Sequence, residues 1–137
     1  MVRDWILPTL GAMMFWGIWG FIPKITTGYI APQSAIVYEV LGGLLLGAIV
    51  LSLLHFQLDI HPKGIALAIT TGMLGFLGAF CFLTAVSKGP VTLVATVSAL
   101  YPVVSIALAN FFLHETVTLR QGVGIALALL SMILVAA

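Results

Sequence analysis

The sequence predicts an all-α integral membrane protein of five transmembrane helices, and three observations carry that prediction. Hydrophobic residues fill 62% of the 137 positions and charged residues only 7%, where soluble domains average about 25% charged. The five Lys or Arg and four Asp or Glu mostly punctuate long apolar runs. Those runs are apolar on every side, whereas barrel strands alternate apolar and polar residues in pieces of about ten. The same arithmetic excludes disorder, which requires little apolar content and much charge. A net charge of +1 without a basic cluster excludes nucleic-acid binding.

A helix needs about 20 predominantly apolar residues to cross a hydrocarbon core of about 30 Å. Five segments approach or meet that length, at about 5–22, 34–54, 64–86, 91–113 and 119–137. The first follows Arg3, is Trp-rich and runs up to Pro23-Lys24 without a small-x-small cleavage site, so it is read as a mature span. Pro32 suits the first turn of the second, where a missing N–H is harmless. His61-Pro62-Lys63-Gly64 and Ser87-Lys88-Gly89-Pro90 bracket the third, which is uncharged. The fourth holds Pro102 in mid-span, predicting a kink or a freed carbonyl beside Ser98, Tyr101 and Ser105. The fifth follows a connector containing His114, Glu115 and two threonines. Every loop is short, so residues 1–137 are expected to form a single membrane domain.

Five spans place the termini on opposite sides. Arg3, Lys63 and Arg120 then share one side, and Lys24 and Lys88 the other. Orientation follows Lys/Arg asymmetry in short loops, and three against two is a weak bias. The balance is compatible with insertion in both orientations, and equally with a single weakly favoured one.

Glycines at Gly17 and Gly20, at Gly43 and Gly47, at Gly72, Gly75 and Gly78, and Gly124 with Ala128, are read as close helix-packing positions. Asn110 and Thr96 are expected to hydrogen-bond between helices. Cys81 is alone, which excludes an intrachain disulfide, and is read as a small buried hydrophobe. His55, Asp59 and His61 match no standard ligand spacing and are read as a solvated loop without metal. No hydrolase or zinc-protease motif occurs, and no cofactor motif either, so the chain is read as a non-enzyme.

Glu39 is the most informative residue. It lies seven residues past Pro32, about 10 Å along a helix axis, and an ionisable side chain at that depth is a functional candidate by default. Left unpaired it is a candidate proton carrier. Paired with Lys24, near the end of the first span on the same side, it is held charged and carries no proton. Snorkelling to the interface is the third alternative. Trp16, Trp19, Tyr101 and Pro102 are the candidates for an aromatic-lined substrate cavity, although Trp and Tyr also serve as interfacial anchors.

Several motifs together resemble the EamA-type repeat of the drug/metabolite transporter superfamily. They are Gly75, Ala85-Val86-Ser87-Lys88-Gly89-Pro90, Val91-Thr92-Leu93-Val94-Ala95, Leu100-Tyr101-Pro102-Val103, Phe112-Leu113-His114-Glu115, and Gln121-Gly122. Trp16-Gly17 and Lys24 resemble that family's first-helix pattern. The resemblance covers essentially the whole chain. Members usually carry two such repeats in inverted topology, and this sequence has one, as in the five-helix bacterial and archaeal branch. It implies a carrier of small metabolites or drugs across the inner (plasma) membrane, surrounded by lipid. It also implies a cavity between two halves and a fifth helix packed on its counterpart. Glu115 is implied to shape its connector, and no family role passes to Glu39.

The combined expectation is half of a transporter that works as an antiparallel homodimer or with a partner half. Substrate would sit near the midplane between the first, third and fourth spans of both subunits. The rival expectation is a non-transporting membrane subunit that stabilises or regulates a partner.

Overall fold

The computed structural model describes residues 4–136. They form six helices: α1 (Ile6–Thr26), α2 (Pro32–Leu53), α3 (Pro62–Lys88), α4 (Val91–Ser98), α5 (Tyr101–Leu113) and α6 (Leu119–Ala136). The chain divides into two compact units, Met1–Lys88 and Gly89–Ala137. Four stretches are long and apolar enough to cross a membrane: α1, α2, α3, and α4 with α5 taken together, while the apolar part of α6 is shorter.

In the first unit α3 packs against both α1 and α2. The buried residues cluster at one end of the three helices. Pro23 of α1, Ala35 of α2, and Ala79, Phe82, Leu83 and Val86 of α3 are buried, with Leu83 and Val86 at 0% exposure. Toward the other end, α2 from Leu41 to Val50 and α3 from Pro62 to Gly75 are exposed throughout. Apolar surface of that kind is stable only against lipid or another protein surface. Cys81 is exposed on α3, contrary to the buried reading.

Pro32 occupies the first position of α2, as its missing N–H allows. Pro23 lies inside α1, where it leaves the Trp19 carbonyl without its helical donor. The α3 N-terminus is capped by a side chain the loop reading had left in solvent: the Gly64 N–H donates to His61 Nδ1 at 3.2 Å.

Of the glycines read as packing positions, Gly43 alone has a neighbour within 4 Å of where a Cβ would stand, the Phe76 ring of α3 at 2.7 Å. Gly17, Gly20, Gly47, Gly72, Gly75, Gly78 and Gly124 have nothing within that distance.

The second unit contains the main departure from five continuous spans. The fourth is two helices, of eight and 13 residues, parted at Ala99 and Leu100. Ala99 has ψ −1° and Leu100 ψ −6°, off the helical value of about −42°. Leu100 N–H turns back to the Val97 carbonyl at 3.1 Å, and Val103 N–H to the Leu100 carbonyl at 3.0 Å. Pro102 offers no N–H to the Ser98 carbonyl. It is therefore the second residue of a new helix rather than a kink inside an old one. α4 packs on α6.

Candidate functional site

In the first unit, three helices bring one charged and two aromatic side chains together. Glu39 on α2 is half-buried. The Trp19 side chain of α1 is set beside its carboxylate. The Trp19 ring rests on Phe82 of α3, with centroids 5.2 Å apart and planes tilted by 39°. An indole N–H is a donor only, and it is the polar group Trp19 offers the carboxylate, while Phe82 packs against the ring that carries it. Phe82, which the sequence reading did not single out, is 8% exposed. Its signal was available only as the spacing of Ala79, Phe82, Leu83 and Val86 along one side of α3.

Lys24, the other candidate partner of Glu39, is engaged at the packed end of the unit. Its Nζ donates to the Val86 carbonyl at 2.7 Å. Val86 is one of the last four carbonyls of α3, which lack intrahelical donors, and the residue four positions on is Pro90, which has no N–H to give. The cation thus satisfies a backbone acceptor that the sequence itself orphans, and ties the end of α1 to the end of α3. Trp16 lies three residues before Trp19 on α1 and is 61% exposed.

In the second unit, Tyr101 and Pro102 open α5 at the helix break. Ser98 Oγ donates to the Ala95 carbonyl at 3.0 Å and Ser105 Oγ to the Tyr101 carbonyl at 3.5 Å. Pro102 also lines a small apolar groove of about 130 Å³ with Val103, Ile125 and Met132. A larger open groove of about 450 Å³ lies beside the connector, lined by Ile106, Asn110, Glu115, Gln121 and Ala128 among others.

The polar residues expected to bridge helices act locally. Asn110 Nδ2 donates to the Glu115 carbonyl at 3.0 Å, closing the end of α5 where His114 turns left-handed with φ 53°. Thr96 Oγ1 donates to the Thr92 carbonyl, one turn back on its own helix, at 2.7 Å. Thr118 and Gln121 form a reciprocal cap on α6. Thr118 N–H donates to Gln121 Oε1 at 2.9 Å, and Gln121 N–H to Thr118 Oγ1 at 3.3 Å. The Thr-x-x-Gln spacing was its readable signal. Among the described residues no group of three or more His, Cys, Asp or Glu is placed to hold a metal ion.

Helices of this length and apolarity, with one carboxylate held inside a span, define a multi-pass helical membrane protein. The chain belongs to the EamA-like transporter family, whose profile matches residues 3–137. It is accordingly a single EamA-type repeat, a transporter domain of the drug/metabolite superfamily. It is 30% identical over 121 residues to an uncharacterized protein of Methanocaldococcus jannaschii, covering 88% of each chain. No solved structure matches it.

Proposed function

We propose that this chain is half of a small-molecule secondary transporter, completed by an inverted copy of itself or by a partner half in the cell's inner (plasma) membrane. The observation that carries the reading is Glu39, a half-buried carboxylate inside a span with the Trp19 indole beside it. A buried ionisable side chain that merely filled space would be replaced without loss by an apolar one; one that must load and release charge needs a donor that steadies it without neutralising it. Trp19 is such a donor. In this reading Glu39 contacts the substrate or couples its movement to charge, and Trp19 and Trp16 line the approach from α1. Tyr101 and Pro102, at the broken helix of the second unit, are further candidates for contact with substrate. Alternating access is rocking of one half against the other.

The test is uptake into proteoliposomes, with the substrate first chosen by a ligand thermal-shift screen on purified protein. Glu39→Gln keeps the shape and removes the charge. It should reduce uptake driven by a pH gradient at least about tenfold, the loss of one charged hydrogen bond. Unchanged gradient-driven uptake would rule out the coupling role.

A further inference from the structure

The eight residues between α2 and α3, numbers 54–61, have a pattern that an aqueous loop does not need. After Leu54 the chain reverses through two consecutive left-handed residues, His55 with φ 50° and Phe56 with φ 61°. The Phe56 N–H returns to the Leu51 carbonyl at 3.0 Å and so closes off the end of α2. Residues 57–61 are then neither helical, turned nor bent, and His61, preceding Pro62, is held to extended backbone.

Along this run apolar and polar residues alternate strictly: Phe56, Gln57, Leu58, Asp59, Ile60, His61. All six side chains are exposed. Phe56, Leu58 and Ile60 are 75%, 62% and 86% exposed, and they follow in sequence on the end of α2, where Leu53 is 73% exposed. Both helices that the loop joins are spans, so it lies at the membrane surface by construction. Formal charge along it is balanced, Asp59 against Lys63 just inside α3, which gives no preference for anionic lipid.

We propose that this loop is a lipid-contacting anchor. Phe56, Leu58 and Ile60 insert into the interfacial zone of the bilayer, and Gln57, Asp59 and His61 face the headgroups and water. The occupant is the bilayer itself, because the helices flanking the loop are both apolar spans and its exposed apolar residues lie between their ends. The anchor fixes the depth of the α2–α3 end, the end where the first unit is least packed. It rests on the chain spanning the membrane and is independent of whether it transports.

The experiment uses the full chain carrying Cys81→Ala, with single cysteines at Gln57, Leu58, Asp59 or Ile60, reconstituted in phosphatidylcholine vesicles opened by freeze–thaw. A charged maleimide should label the cysteines of Gln57→Cys and Asp59→Cys at least about tenfold faster than those of Leu58→Cys and Ile60→Cys, given what burying an apolar side chain contributes. Nitroxides at positions 58 and 60 should collide readily with dissolved oxygen and poorly with a water-soluble nickel chelate. Replacing half the lipid with phosphatidylglycerol should leave both readouts unchanged. Uniformly fast labelling would overturn the proposal in favour of an aqueous loop. Protection from both oxygen and nickel would overturn it in favour of burial against a second copy.

Discussion

At the scale of single residues, Lys24 and Glu39 have different surroundings in the first unit and should fail differently. Lys24→Met removes the donor from a carbonyl belonging to a fully buried residue, Val86. An unsatisfied buried acceptor costs about 1–3 kcal/mol, so the variant should unfold earlier in a thermal-shift assay in detergent, and Lys24→Arg should recover part of the loss. Trp19→Phe keeps an aromatic ring against Phe82 and deletes only the N–H. It should leave thermal stability close to wild type while lowering gradient-driven uptake, the same direction as Glu39→Gln. If Trp19→Phe instead destabilised the protein as much as Lys24→Met and spared uptake, the indole would be a packing element. The sequence made Glu39 visible because a carboxylate within an apolar run has no inexpensive explanation. It could not choose Glu39's partner, since the helix period fixes which face a residue occupies and leaves the facing helix undetermined. Lys24 was legible as a charge at a helix end; that it serves a carbonyl orphaned near Pro90 required the third helix to be in place.

At the scale of elements, the helices were legible wherever length and apolarity decide, and less so where a local competition decides. Four spanning stretches follow from hydropathy alone. The division of the fourth at Ala99 and Leu100 does not, because Pro102 is compatible both with a kinked interior and with the opening turn of a new helix. The three-residue hydrogen bonds at Leu100 and Val103 select the latter. Caps were harder to read than spans. His61 closes α3 through a ring nitrogen, a cap absent from the usual Ser, Thr, Asp and Asn set. Small residues were overread, since spacing shows that two helices are able to approach and not that they do. Gly43 is where the approach occurs within the first unit, and this gives a contrast to test. Gly43→Ala places a methyl against the tip of the Phe76 ring and should cost about 1–3 kcal/mol, the usual range for overpacking. Gly47→Ala, one turn along on the same helix, meets open space and should be close to neutral. Phe76→Leu combined with Gly43→Ala should restore stability, measured as the thermal midpoint in detergent. Equal effects at the two glycines would show that α2 and α3 do not pack in this register.

For the whole molecule, the balance of charges in the loops becomes a prediction about how copies are arranged. Five alternating spans are expected to place Arg3, Lys63 and Arg120 on one side and Lys24 and Lys88 on the other. The bond from Lys24 to Val86 brings the ends of α1 and α3 to one level, as alternating spans require. The Lys/Arg excess is then three against two, a weak bias compatible with both orientations and equally with one weakly favoured orientation. An antiparallel homodimer requires both orientations to be populated. Reporters active only inside or only outside the cell, fused to the C-terminus, should therefore both give signal. Adding Gln57→Lys and Thr116→Lys makes the excess five against two and should drive the chain into one orientation. Tyr29→Lys with Gln33→Lys makes it three against four and should favour the opposite one. Each biased variant alone should lose uptake, because it cannot supply an inverted partner, and co-expression of the two should restore it. A wild-type chain found in a single orientation would end the homodimer and leave a distinct partner half or a non-transporting subunit. Biased variants that transport alone would show that one orientation suffices, and that the near-balance of charge carries no architectural meaning.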